Sequence, residues 1–308
     1  MPETAPFPPP IHVPLSLVIA SYERAGELRD TLADLIPQTH PATLIVVVDA
    51  SRDAATEAVC AEFAGKLPIK YERAEVASSA MQRNQGALHV TTPLVCFMDD
   101  DVRLPLDHFE KLCAVFAPDS AGEIGGVAGR IVGMQHPAPR GLVRTYYRLQ
   151  AGYEHPTWGG KVIGPAINFL PSYNDEEGGD LIPAEWLNST CTVYRTAAFL
   201  SEKFPRFPGY SHGEDMDLSV RIARKHRLYF HRTATYQHLD APSSYKRDVR
   251  RMTRERLRNQ ARIARDTLGR SALQVAWQMT LHRLFLTLVF LRSRSPGWGD
   301  ALVGLWTP

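Results

Sequence analysis

The apolar residues of this chain first recur as short unbroken runs, Leu15–Ala20, Leu44–Val48 and Leu94–Met98. Runs without polar alternation suit strands buried on both faces. Ile69–Glu72 is a shorter candidate of the same kind. Between these runs the period changes. Leu28, Leu32 and Leu35 recur at helical spacing up to Pro37, the residues after Asp53 are helix-compatible, and Met81–Leu88 reads as a further helix. Strands alternating with helices predict βαβ units and a mostly parallel sheet flanked by helices, an α/β fold. The runs end in polar clusters, Ser21-Tyr22-Glu23-Arg24, Asp49–Asp53 and Asp99-Asp100-Asp101. These clusters therefore fall at the carboxyl ends of strands, where open α/β sheets bind ligands.

Beyond Asp101 the pattern loosens. Residues 125–133 suggest a strand with glycine kinks, Thr190–Tyr194 another strand, and Asp217–Lys225 a helix. Gly152–Pro183, rich in Gly, Pro and acidic residues, reads as one long loop of the kind that carries function or mobility. From Ser244 the composition shifts. Arg251, Arg254, Arg258, Arg262 and Arg265 share one face of a predicted helix, with Val249, Met252, Leu257, Ala264 and Leu268 on the other. Leu273–Leu291 is interrupted by Gln274, Gln278, His282 and Arg283. Its most apolar part, Leu284–Leu291, falls far short of the ~20 residues that span a bilayer, so a buried or interfacial helix is expected.

Composition places the chain among ordinary globular proteins: 308 residues, 44% hydrophobic and 22% charged, enough for one large domain or two closely packed halves. The net charge of +2 is unevenly distributed. Residues 245–308 hold thirteen Lys and Arg against four Asp and Glu, leaving the first 244 residues at −7. The four cysteines (Cys60, Cys96, Cys113, Cys191) form no CxxC pair, which signals neither a disulfide framework nor a zinc ribbon and points to a reducing compartment. Met1–Pro14 is proline-rich and lacks a basic segment followed by an apolar core, so no secretion signal is expected.

The sharpest chemical signal is Asp99-Asp100-Asp101. Three successive carboxylates repel one another unless a cation is bound, and hard oxygen donors on a short loop suit Mg²⁺ or Mn²⁺ bridging to phosphates. A solvated acidic turn has the same appearance out of context. Asp49 could accept from a base N–H or a ribose hydroxyl, while Ser51 and Asp53 fit helix capping. Arg83-Asn84 opens a helix beside the sheet and could reach base or phosphate, or be a surface pair. Glu214-Asp215, at a loop–helix junction, could supply a general base, although acids also favour the first turn of a helix for its dipole. His238 alone reads more readily as a structural histidine than as a ligand.

In order, these features run SY–R, D–S–D, RN–G, DDD, GEDMDLSVR and a late histidine. The chain resembles glycosyltransferase family 2, nucleotide-sugar-dependent enzymes of GT-A fold, over roughly residues 14–240. The resemblance implies a nucleotide-sugar-binding half at 14–101, an acceptor-binding half at 102–243 and a basic helical extension at 244–308, behind a proline-rich tail at 1–13. It implies that Ser21, Tyr22 and Glu23 line the nucleotide pocket, that Asp49 and Arg83, with Asn84, serve the base, and that Asp99 and Asp100 hold ribose and phosphate. Asp101, with Asp99 and His238, would hold Mg²⁺ or Mn²⁺ on the diphosphate. Asp215, preceded by Glu214, matches the family's catalytic base, and Trp186 its acceptor pocket. The first loop departs from the family by reading SYER where SYN is common.

The expectation is inverting transfer of one sugar, hexosyl or deoxyhexosyl, from a nucleotide-diphosphate sugar to a hydroxyl of a glycan or lipid-linked acceptor. Without a QxxRW motif, a processive synthase is disfavoured. A sugar nucleotidyltransferase is the enzymatic rival but would carry a glycine-rich phosphate loop, and a catalytically silent glycan- or membrane-binding scaffold is the non-enzymatic one. The basic helix at 246–270 either meets an anionic membrane surface or covers the acidic body. No nucleic-acid-binding motif is present, and a cytoplasmic location, or a peripheral one on the inner face of the cell membrane, is expected.

Overall fold

The computed structural model describes residues 12–134, 136–172, 179–209, 211–241, 247–294 and 296–307. Most of the proline-rich tail and Lys246 lie outside the described residues. The first half is built as the apolar pattern requires: β1 (Leu15–Ser21), α1 (Ala25–Leu35), β2 (Leu44–Asp49), α2 (Ala55–Phe63), β3 (Ile69–Arg73), α3 (Ser79–Gly86) and β4 (Leu94–Asp99). There follow β5 (Val102–Arg103), α4 (His108–Ala114), β6 (Ile124–Ile131), α5 (Gly141–Ala151), β7 (Val162–Ile163), β8 (Ile167–Asn168), β9 (Leu181–Ala184), β10 (Cys191–Arg195), α6 (Thr196–Glu202), α7 (Glu214–Ile222) and β11 (Arg227–His238). The chain ends in α8 (Val249–Arg262), which passes into a π-helical turn, then α9 (Ala272–Ser293) and α10 (Trp298–Trp306).

Strand order is β3-β2-β1-β4-β10-β6-β11-β5, with β9 also on β11. The sheet is parallel from β3 to β4, β10 enters antiparallel between β4 and β6, and β6 and β11 run parallel. One sheet thus continues across the Asp99–Asp101 junction. The absence of alternation in the strands has its cause here, since both faces are covered. Leu17, Ile19, Ile45 and Val47 face a cluster completed by Leu28, Leu32 and Phe109. Val18, Val46, Val48 and Phe97 face the opposite cluster, with Phe199, Phe204, Met216 and Ile263. Burial of each such side chain contributes about 1.5–3 kcal/mol.

The stretch expected as a loop is more ordered than its composition suggests. Trp158 is fully buried with Ile163 and Phe169, and β7 pairs with β8. A glycine- and proline-rich segment can still fold around one large aromatic anchor; residues 173–178 of it lie outside the described part. The α7 helix begins three residues before the expected Asp217, so the acidic pair lies in its first turn.

One close approach sets the position of α3 on the sheet. A Cβ on Gly86 would lie 2.5 Å from Val18 Cγ1 and 3.0 Å from Val48 Cγ2, so only a glycine lets the helix sit so near β1 and β2. Gly86→Ala is expected to destabilise the fold by about 1–3 kcal/mol through overpacking. Urea unfolding measures it, and an unchanged midpoint would mean that α3 can lift off the sheet freely.

Candidate active site

Register brings the polar clusters together. Ser21 pairs with Asp49 and Ala20 with Asp99, so the carboxyl ends of β1, β2 and β4 finish level with one another. A cleft of about 740 Å³ opens above them, lined among others by Ser21, Tyr22, Arg83, Asp99, Asp100, Asp101, Trp186, Glu214, Asp215 and His238. The α7 acids arrive from the far wall. Gly213, at φ +87°, makes the left-handed turn that starts α7 and aims its first residues at the cleft.

Five carboxylates converge here, and two arginines hold them. Arg83 is almost wholly buried; its Nη2 donates to Asp99 Oδ1 at 2.5 Å and its Nη1 to Glu214 Oε1 at 3.2 Å. It therefore links the strand-end acids to the helix acids. Arg24 Nη1 donates to Asp100 Oδ1 at 3.2 Å and to Asp101 Oδ2 at 3.1 Å, and its Nη2 to the Ala241 carbonyl. Ser21 Oγ completes the shell of Asp100 at 2.8 Å, and the Ala241 N–H that of Asp101.

Two guanidinium groups do not neutralise these five clustered acids, of which Asp100, Asp101 and Glu214 are buried. Burial pushes Asp100 up to about 7 and raises Asp99, in each case against the pull of the neighbouring arginine. Burial and the adjacent Asp215 push Glu214 up to about 8, while burial takes Asp215 to about 6 against the Met216 N–H bond and the Arg83 charge. Asp101 is the exception. Burial opposes its charge, but His238, the Ala241 N–H and Arg24 outweigh it and hold its carboxyl below the usual range. Burial thus holds both acids of the pair above the usual carboxylate range, and the two titrate as one coupled unit.

The donor set fits a hard divalent ion. Oxygen atoms of Asp99 and Asp101 and a ring nitrogen of His238 all lie within 4.8 Å of one another. Asp101 Oδ1 is buried and accepts no well-directed hydrogen bond, with His238 Nε2 3.3 Å away and Asp99 Oδ2 a further 3.8 Å from that nitrogen. A buried carboxylate oxygen left without a donor is an expensive arrangement unless a cation completes it.

Not every residue singled out in the sequence reaches the cleft. Asp49 is fully buried and saturated by the Ser51 N–H, Tyr71 Oη and Arg73 Nη1. It lies off the cleft wall, as does Glu23, which stands at left-handed φ +53° with its N–H on Ser51 Oγ. Asn84 also points away. Its amide clamps the Phe204 backbone in both directions, and on α3 it faces the α6 side rather than the strand ends. Arg83 lines the cleft and faces the acids. Trp186 does line the cleft, mostly buried against Phe230 with Nε1 donating to the Phe169 carbonyl.

Two arginines that line the cleft stand outside the site residues read from the sequence. Arg24 closes the divergent SYER turn, and that departure from SYN is the one signal that could have pointed to it. Arg251 reaches the cleft from α8, where its i+3/i+4 spacing reads only as part of a surface stripe.

The family model described as Glycosyl transferase family 2 matches residues 16–167. No curated protein matches the chain. Among solved structures, the chain is similar to S. aureus TarS in complex with UDP-GlcNAc, at 18% identity and TM-score 0.53, covering 92% of this chain and 75% of that one. It is also similar to the mannosyltransferase PcManGT from Pyrobaculum calidifontis in complex with GDP-Man and Mn²⁺, at 16% identity and TM-score 0.57, over 97% and 87% of the two chains. GalNAc-T7 with UDP, GalNAc and Mn²⁺ aligns with TM-score 0.56 and 16% identity over 74% of this chain and 44% of that chain. Identities this low speak to the fold; the family match speaks to the half that builds the acidic strand ends. With a mostly parallel sheet, an acidic cleft at its carboxyl edge and these structural counterparts, the chain has a GT-A fold, and its residues 16–167 match glycosyltransferase family 2.

Proposed function

We propose that the protein transfers one sugar, with inversion, from a nucleotide-diphosphate sugar to a hydroxyl of a glycan or lipid-linked acceptor. The observation that carries this reading is the opposition of two acid groups across one cleft: Asp99, Asp101 and His238 on the strand side, Glu214 and Asp215 on the helix side. Single displacement needs that polarity, a cationic site where the diphosphate departs and a base on the opposite face.

The strand-side trio would hold Mg²⁺ or Mn²⁺, and a divalent ion bound there would offset the charge that develops on the departing diphosphate. TarS with UDP-GlcNAc and PcManGT with GDP-Man and Mn²⁺ support a nucleotide-sugar donor and such an ion. Ser21, Tyr22, Asp99 and Asp100, which line the cleft on the sheet side, would contact the nucleotide. Asp215, when ionised, would accept the proton of the acceptor hydroxyl as its oxygen attacks the anomeric carbon. Glu214 stands beside it, and its bond to Arg83 ties the base to Asp99 across the cleft. Trp186, on the cleft wall, is offered as a face for the acceptor sugar.

Calorimetric titration of UDP, GDP, TDP and CDP with and without Mn²⁺ is the direct test. Metal-dependent binding of one nucleotide is expected; binding of none by the folded protein would favour a silent scaffold. Asp101→Ala is expected to remove the metal dependence of that binding, and undiminished metal-sensitive affinity would place the ion elsewhere. Asp215→Asn is expected to leave nucleotide affinity nearly intact and to lower turnover by about 10²–10⁴. A base must be ionised to accept a proton, so kcat/KM should hold above, and fall as pH drops through, about 6, the value to which burial brings Asp215. A pH profile flat from 5 to 8 would remove Asp215 from this role.

A further inference from the structure

The C-terminal helices hold an apolar surface that the catalytic cleft does not use. One side of α9 is packed: Met279 joins Leu257 and Leu305, and Gln278 and His282 are buried against α5. Its opposite side carries Leu273, Trp277, Leu284, Leu288 and Leu291, spaced to fall in one stripe and exposed by 84%, 60%, 50%, 65% and 48%. A helix that is apolar all round is ordinarily buried all round. Trp306, half-exposed, borders the stripe through its Nε1 bond to Thr287 Oγ1. On α5, exposed Leu142 and Leu149 lie one turn either side of Tyr146, which stacks on Phe285 of α9 and so extends the same surface.

Charge around this surface is of one sign. Between Asp266 and Asp300 the chain carries Arg270, Arg283, Arg292 and Arg294 and no acidic residue, and none of the four forms an ion pair among the described residues. Helical spacing puts Arg283 and Arg292 on the two shoulders of the stripe. Part of the charge on α8 and the turn after it is compensated instead: Arg251 pairs with Glu255, and Arg262 and Arg265 with Asp266. No helix among the described residues is long and apolar enough to cross a membrane.

We propose that the outward stripe of α9, with Trp306 and its flanking arginines, seats the protein on an anionic lipid bilayer, α9 lying in the interface rather than crossing it. Leucine and tryptophan enter the headgroup–acyl boundary while arginines on the shoulders meet lipid phosphates. A second copy of the chain fits less well, because stripe-to-stripe pairing sets these arginines against one another. The surface therefore lies on α9 and not on the arginine face of residues 246–270. It backs onto the acceptor side of the cleft: Tyr147 of α5 packs on Phe169, whose carbonyl accepts the Trp186 Nε1 bond.

Flotation of the full chain with phosphatidylcholine vesicles, with and without phosphatidylglycerol, tests this independently of sugar transfer. Binding is expected only where phosphatidylglycerol is present. Trp277→Ser/Leu288→Ser, at exposed positions, should weaken it at least about tenfold, and Arg292→Gln/Arg294→Gln by roughly fivefold per arginine. Arg254→Gln/Arg258→Gln on α8 should leave it unchanged. Nucleotide-diphosphate affinity, the same in all variants, reports that each is folded. Equal binding to neutral vesicles, loss of binding only in the α8 variant, or no vesicle binding with a dimer that Trp277→Ser/Leu288→Ser dissociates would each overturn the proposal.

Discussion

The organisation of this protein turns on Arg83. Five carboxylates meet in one cleft, and a single buried guanidinium joins the group on the sheet to the group on the helix through Asp99 and Glu214. A buried arginine without both partners would be strongly unfavourable, and so would either acid without the arginine. The position of α3 on the sheet, made possible by Gly86, sets where Arg83 stands, and Arg83 in turn sets the distance between the two acid groups. The strand-side and helix-side acids are therefore mechanically one unit.

The excess of negative charge in the cleft is a property with a purpose in this kind of chemistry. Arg24 and Arg83 leave it incompletely balanced, and burial raises Asp99, Asp100, Glu214 and Asp215 as a result. Such a cleft is costly to maintain in isolation and favourable once a cation enters. Asp101, the one acid held below its usual range, is also the one with an oxygen left open toward His238.

The C-terminal extension contributes to the body and to the outside at once. The π-helical turn after α8 packs Ile263 against the α7 core, Asn259 donates to the His212 carbonyl, and Arg251 lines the cleft. On the other side, α9 keeps an apolar stripe in solvent. The net charge of +9 in the last 64 residues is thus not one patch. On α8 it is in part compensated within the helix, and around α9 it is not.

The sequence by itself determined the order of strands and helices and the level at which the acids emerge. Runs such as Leu15–Ala20 and Leu94–Met98 are apolar at every position because both sheet faces are covered, and that requirement is written residue by residue. The DDD triplet and Glu214-Asp215 were legible for a similar reason, since like charges side by side need a local explanation. Only the tertiary structure decided which side chains answer those charges. Arg24 and Arg83 meet acids 76 and 131 positions away, Asn84 turns from the cleft to hold Phe204, and Asp49 is closed off by Tyr71 and Arg73. Pairings across such separations depend on strand order and helix docking, and no local pattern encodes them. The same holds for α9, whose apolar residues read as a buried or interfacial helix in the chain; only the packing, on one side, decides that the other side faces water.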